Sequence, residues 1–352
     1  MKIASIIRAI ESANGSGHEI SYRLVHTGQH YDRKLSGSFF EELNIPDPDI
    51  NLEVGSGSHA QQTAEIMIKF EQELQENPCH YVLVVGDVNS TMACAIVAKK
   101  LHVGVIHVEA GLRSFDLSMP EEINRMVTDA ITDLFFTTSI LAGQNLQRAG
   151  IPADRIFFVG NTMIDTLVAN LDRLRVPAVF QENNLNPGHY WVMTLHRPSN
   201  VDEAKKLCKL LDLISENANE KKIVFPVHPR TARTLDGLGR LPDNILTTEP
   251  LPYLEFMFLV RNAGAVITDS GGIQEETTYL GVPCLTLREN TERPETVDVG
   301  SNVLCGFDPE GMKSAFQQLN SGSWKKCEIP ELWDGKTAER IVEILGQNPI
   351  RN

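Results

Sequence analysis

Two apolar runs in this sequence end on a carboxylate. Tyr81-Val-Leu-Val-Val-Gly-Asp87 and Val105-Ile-His-Val-Glu109 each place an acid just after a strand-like segment, where ligands meet open α/β sheets. If the two strands are parallel neighbours, Asp87 and Glu109 project from one edge, a pair suited to general acid–base work. The plain alternative is that either acid caps the helix that follows, a common task for Asp before Ser90-Thr91. A third acidic group, Met119-Pro120-Glu121-Glu122-Ile-Asn-Arg125, sets proline in a first helical turn ahead of two glutamates. On its residues alone Glu121 reads as structural, favoured by the helix dipole and able to pair with Arg125 at i,i+4.

The second half offers cations and a glycine turn. Trp191-Val-Met-Thr-Leu-His196-Arg197 and Ile223-Val-Phe-Pro-Val-His228-Pro-Arg230 each end a strand on histidine with arginine close behind. A lone strand-end histidine is commonly a satisfied polar residue, but two with arginines form a cationic lip fit for a diphosphate. In Ile267-Thr-Asp269-Ser270-Gly271-Gly272-Ile-Gln-Glu275-Glu276 a strand, a small-residue turn and a helix start follow one another. Two glycines admit a phosphate to the backbone, and the free helix N–H groups supply positive charge. Glu276, one turn on, is placed to accept from ribose hydroxyls; the competing reading is an ordinary tight turn.

Missing motifs narrow the chemistry. Neither G-x-G-x-x-G nor G-x-x-x-x-G-K-[ST] occurs, which argues against tightly bound NAD and against a kinase. Gly-x-Ser-x-Gly is absent too. A net charge of −14 argues against a nucleic-acid surface. The six cysteines, at 79, 94, 208, 284, 305 and 327, show no metal-ligand spacing. Five adjoin apolar segments and read as buried, reduced thiols, hence a cytoplasmic protein. No apolar run approaches the ~20 residues of a membrane span, so no membrane association is expected.

Short β-rich runs alternate with helix-period segments throughout, the pattern of parallel sheets with helical crossovers. The 352 residues exceed what one core sustains, so two α/β domains are expected. Strands are predicted at 22–26, 81–85, 103–108, 134–137 and 156–159, then at 190–194, 222–225, 245–247, 265–267 and 283–287. Residues 1–172 read as the first domain, carrying the carboxylates, 173–187 as a linker, and 188–334 as the second. Residues 335–352 hold a last helix, near 337–345, after the Asp334-Gly335 turn.

Taken in order, Gly86-Asp87-Val-Asn-Ser-Thr91, His107-Val-Glu109-Ala-Gly-Leu-Arg113-Ser, Pro120-Glu121-Glu122-Ile-Asn-Arg125, Gly160-Asn161-Thr162, Thr194-Leu-His196-Arg197 and Asp269-Ser270-Gly-Gly-Ile-Gln-Glu-Glu276 form a specific set. The set resembles the non-hydrolysing UDP-N-acetylglucosamine 2-epimerases, and Thr291-Glu-Arg293-Pro-Glu295 and Asp334-Gly-Lys-Thr-Ala-Glu-Arg340 extend the likeness. The resemblance implies two Rossmann-like domains facing a cleft, of the GT-B type, with the last helix crossing back to the first. It implies Asp87, Glu109, Glu121 and His196 as catalytic groups, which overturns the structural reading of Glu121. Ser270, Gly271, Gly272, Glu276 and Arg293 are implied to hold UDP. A second, activating UDP-sugar is implied at Glu122, Arg197 and His228, with one partner altered in Gln29-His-Tyr-Asp32. A cytoplasmic homodimer without cofactor or metal is expected.

The chemistry asks for such groups. Carbon 2 bears a hydrogen that no carbonyl acidifies, so the open route is elimination of UDP to 2-acetamidoglucal and re-addition with the proton on the other face. That route needs a base, an acid and anions near an oxocarbenium ion, and crowding should raise the pKa of at least one carboxyl. The resemblance leaves open a related UDP-2,3-diacetamido uronic acid as substrate, or a hydrolysing reaction. Relatives start with a strand and a Gly-x-Arg-Pro-Glu-x-x-Lys loop, whereas Met1–Ile6 here reads as strand start fused to later helix, with Arg8 the only nearby cation. On that reading the loop is missing, and UDP binding with impaired epimerisation is the expected consequence.

Overall fold

A computed structural model describes residues 1–15, 20–28, 40–237, 239–306 and 309–347. The chain divides into two units, Met1–Ala169 with Glu331–Asn352, and Asn170–Pro330.

In the first unit β3 (Tyr81–Val85), β4 (Gly104–Val108), β5 (Leu134–Thr137) and β6 (Ile156–Phe158) form a parallel sheet in that order. β1 (Val25–His26) and β2 (Ile50–Asn51) form a separate parallel pair. Near-continuous Val, Ile, Leu and Phe suit strands buried on both faces. Val82, Val84 and Val105 pack on Ile66 and Phe70 of the helix His59–Glu76 and on Val97 of the helix Asn89–Lys100. On the other face Ile106, Val108 and Phe136 meet Ile6 and Ile10 of the helix Lys2–Gly15 and Ile341 of the helix Thr337–Gln347. Ser58 and Gln61 start the 59–76 helix with a reciprocal capping box.

The last helix therefore belongs to the first unit, as expected. Asp165 accepts the N–H of Thr337 at 3.1 Å and of Ala338 at 2.7 Å, filling two orphan donors at its start. Just before it, Gly160 sits at φ +102° with Leu332 O only 2.2 Å from where a Cβ would stand. Asp165→Ala should lower stability by about 1–2 kcal/mol, the usual worth of a helix cap, without changing UDP affinity. A thermal midpoint equal to the parent's would contradict this role.

In the second unit β12 (Asn302–Leu304), β11 (Cys284–Thr286), β10 (Ala265–Thr268), β7 (Tyr190–Thr194), β8 (Lys222–Pro226) and β9 (Ile245–Thr248) form one parallel sheet in that order. The chain runs outward from β7 to β9, then returns to β10 and runs the other way. The order thus reverses between β7 and β10, where such sheets bind ligands. Trp191 stacks on Phe316 with centroids 5.5 Å apart within the core formed by Met193, Ile223, Phe225 and Ile267.

Most expected strands are present within a residue or two, but 22–26 shrinks to Val25–His26, and Ile50–Asn51 and Asn302–Leu304 were not signalled. Residues 1–6 hold no strand: the helix runs from Lys2 and buries Ala4, Ile6, Ile7 and Ile10 at helical spacing. The stretch 175–187 lies within the second unit and carries a short helix, Ala178–Glu182. Only Cys94, Cys284 and Cys305 are buried, although all six thiols are free. Among the described residues no helix is long and apolar enough to cross a membrane.

Candidate active site

β3 and β4 pair in register to their last residues, Val85 opposite Val108, so Gly86-Asp87 and Glu109 leave the sheet at one edge. The N–H of Gly86 donates to Val108 O at 3.0 Å and secures that alignment. Asp87 does not cap the next helix, whose N-cap is Val88 with no side-chain bond. Its carboxylate pairs instead with the Arg125 guanidinium, and Asn124 Nδ2 donates to Asp87 O at 2.9 Å.

Glu109 is 2% exposed and stands at φ +70°, a strained conformation for a residue with a side chain. Oε2 meets Lys2 Nζ, while Oε1 is buried with no hydrogen-bond partner. A Cβ on Gly86 would lie 3.2 Å from that ammonium. Lys2, not Arg8, is thus the cation paired with Glu109; Arg8 Nε donates to Ala4 O within its own helix.

Beneath these acids lies a buried polar network. His107 Nε2 faces Gly86 O at 2.9 Å and Nδ1 faces Asp129 Oδ1 at 2.7 Å. Arg113 Nη1 and the N–H of Gly111 both donate to Asp129 Oδ2. Burial alone would raise the Asp129 pKa, but His107 and Arg113 bring it below the usual carboxylate range.

The helix Pro120–Ile131 corrects one expectation. Arg125 bonds Glu122 at 2.6 Å and Asp87, so the i,i+4 pair with Glu121 does not form and Glu121 is exposed. Glu122, expected to touch an activating sugar, is 1% exposed, and its oxygens accept from Ser114 N, Ser114 Oγ, Phe115 N and Arg125. Burial opposes its ionisation, yet the Ser114 and Arg125 donors hold its pKa below the usual value. It braces residues 114–115. Gln29–Asp32 lie outside the described residues.

In the second unit the helix Gly271–Leu280 starts at the switch point, with Ser270 as N-cap and no side chain capping it. Its first N–H groups therefore receive no bond from the Ser270 hydroxyl, an arrangement that suits a helix end to an anion. A Cβ on Gly271 would stand 2.8 Å from Arg293 Nη1 and 2.9 Å from Glu292 Oε1. Arg293 is buried against Glu275 and Glu292, so it supports the turn from beneath. Glu276 is buried, accepts from Tyr253 Oη at 3.0 Å, and is pushed by burial up to about 8.

His196 stands after β7 with its ring 6.2 Å from that of His228 after β8. The cationic lip is weaker than expected, because Arg230 is spent on Asp202 at 2.7 Å and burial favours neutral His228. The backbone N–H of Arg197 donates to Asp269 at 2.9 Å.

Several residues escaped the sequence reading in part or whole: Lys2, Asp129 and Gln274 were not singled out, and Arg125 and Asp269 were named without their partners Asp87 and His196. Gln274, fully buried, donates to Ser270 O and accepts from Thr291 and Asn302, which fixes the glycine turn to its neighbours. An amide or acid one helical turn beyond a glycine turn was the available signal for it. The others act on partners far away in sequence and gave none.

Comparisons agree with this architecture. A family profile described as UDP-N-acetylglucosamine 2-epimerase matches residues 13–346. A UDP-N-acetylglucosamine 2-epimerase of Methanocaldococcus jannaschii is 43% identical over 98% of this chain and 95% of its own. A UDP-2,3-diacetamido-2,3-dideoxy-D-glucuronate 2-epimerase of Pseudomonas aeruginosa is 39% identical over 99% of this chain and all, 100%, of its own. The crystal structure of the M. jannaschii UDP-GlcNAc 2-epimerase with UDP-GlcNAc and UDP superposes with a TM-score of 0.88 at 42% identity, covering 99% of this chain and 96% of that one.

Proposed function

Because the chain belongs to the UDP-N-acetylglucosamine 2-epimerase family, we propose that it interconverts UDP-N-acetylglucosamine and UDP-N-acetylmannosamine at carbon 2. The observation that carries the reading is the pair Asp87 and Glu109 on one sheet edge, with Glu109 Oε1 buried and unbonded. A base takes the C2 proton, the C1–O electrons leave with UDP, and 2-acetamidoglucal remains. UDP re-adds at C1 as an acid delivers a proton to the opposite face of C2. Asp87, Glu109 and Glu121 are the acids and bases of this scheme, and His196 assists. Lys2 and Arg125, each paired with one of the two edge carboxylates, offset their mutual repulsion.

UDP must stay bound while detached. Ser270, Gly271 and Gly272 are assigned to the diphosphate, and Glu276 with Arg293 to the rest of the UDP site, on the strength of the helix start left without a side-chain cap and of Gly271, where Arg293 and Glu292 leave no room for a Cβ. A Gly271→Val change should weaken UDP binding at least ~10-fold, about 1.4 kcal/mol, since the side chain would meet Arg293 and Glu292. Calorimetric titration with UDP decides this, and an unchanged Kd removes the cradle.

A cytoplasmic homodimer is part of the proposal, supported by the free thiols and by exposed Ile123 and Met126 on the 120–131 helix. An activating UDP-sugar would draw on Glu122, Arg197 and His228. The Pseudomonas relative makes a diacetamido uronic acid sugar the second reading. Proton NMR of the protein with each UDP-sugar in D2O separates the cases. Epimer with deuterium at C2 supports the proposal; free N-acetylmannosamine marks a hydrolase; binding without turnover marks an impaired relative.

A further inference from the structure

Asp269 is wholly buried, and every group around its carboxylate is a donor or a histidine. His196 N lies 3.1 Å and Arg197 N 2.9 Å from Oδ2, Asn200 Nδ2 donates to the same oxygen at 2.9 Å, and His196 Nδ1 lies 2.7 Å from Oδ1. A protonated carboxyl would have only His196 Nδ1 to donate to and would set its hydroxyl among the N–H donors of His196, Arg197 and Asn200, so this surrounding favours the ionised form. Burial opposes this, but the His196 and backbone donors bring its pKa below the usual range. Nδ1 of His196 must then carry a proton. The ring is 44% exposed, with Nε2 as its other nitrogen.

His228 is set the opposite way. Its Nδ1 accepts the N–H of Arg230 at 3.2 Å, so a neutral ring carries its proton on Nε2. The strands beneath run β8, β7, β10, which sets His228, His196 and the Ser270–Gly272 turn side by side along one edge. Two imidazoles in opposed tautomers thus flank a helix N-terminus suited to a diphosphate.

We propose that Asp269 is a positioning residue: it locks His196 in the Nδ1–H tautomer and neutralises the ring when charged, so that Nε2 alone serves the diphosphate of the bound sugar nucleotide. As imidazole, Nε2 offers the diphosphate no donor but can take up a proton; as imidazolium, it donates to a phosphate oxygen, so the bond forms as charge builds on the departing UDP. The pairing follows the logic of a buried carboxylate orienting a catalytic histidine. Its kinetic arm rests on the epimerase reading, while its tautomer arm does not.

Nitrogen-15 NMR of the imidazoles tests it, with His228 as internal control. The wild-type protein should show His196 with Nδ1 protonated and His228, where neutral, with Nε2 protonated. Asp269→Asn turns an amide N–H toward the ring, so His196 should switch to Nε2–H while His228 stays unchanged. With the fold intact by circular dichroism, kcat should fall at least ~10²-fold and the Kd for UDP should stay within about threefold. An Nε2–H tautomer for His196 in the wild type overturns the proposal, as does kcat within about threefold in folded Asp269→Asn. If that variant fails to fold, the wild-type tautomer alone decides. A wild type without epimerase turnover removes the reaction, not the tautomer result.

Discussion

Glu109→Gln is expected to lower kcat by at least ~10²-fold while leaving the thermal midpoint and UDP affinity near their parent values. The scale is that of a lost general acid or base. Several structural features converge on this residue: it is almost fully buried, its backbone is held at φ +70°, and one carboxylate oxygen has no partner. An unbonded buried oxygen at a strained position is a place where a ligand group can complete the bonding. Glutamine keeps the shape and the strain but can neither take nor give the C2 proton. Lys2, 27% exposed, can solvate its ammonium when its counter-ion is gone, which keeps the fold intact. Turnover within threefold of the parent would remove Glu109 from the reaction.

Arg125→Leu carries the largest expected loss of stability. The guanidinium is 1% exposed and spans Glu122, also 1% exposed, and Asp87, 24% exposed. Deleting one partner of a buried ion pair leaves its counter-charge uncompensated, at about 3–5 kcal/mol. The donors from Ser114 and Phe115 remain on Glu122, so the lower end, about 3 kcal/mol, applies. For a unit of this size that is roughly a 10 °C fall in midpoint. Catalysis should fall with it, because Asp87 loses the group that aims it. Arg125→Lys retains the charge but not the fork and should land between. A shift below about 2 °C for the leucine variant would show that the network is not holding the helix to the strand end.

The fold was legible because its signals are local. An apolar run such as Tyr81–Val85 followed by Gly-Asp needs no distant partner to read as a buried strand with a polar end, and the neighbouring pair Asp87 and Glu109 follows from parallel order alone. The glycine turn at 270–272 is likewise a local pattern. What escaped depends on chain closure. Arg125 finds Asp87 thirty-eight residues earlier, and Asp269 meets His196 seventy-three residues earlier, separations at which side-chain pairing leaves no periodicity. The Glu121–Arg125 expectation failed for a related reason: spacing permitted both i,i+4 and i,i+3, and the loop donors at Ser114 and Phe115 had already drawn Glu122 inward. Residues 1–6 misled because a β-branched run fits either a strand or one helical face.

The return of the helix Thr337–Gln347 to the first unit has a consequence for biosynthesis. The second unit is one continuous stretch, residues 170–330, and can close as soon as it leaves the ribosome. The first must wait for residues 331–347, since Ile341 and Val342 cover Ile6, Ile106 and Val108 and Asp165 has no helix start to bind until then. At ~5–20 residues per second that wait lasts roughly 10–30 s, with apolar sheet surface open to chaperones throughout. The half made first is the half completed last.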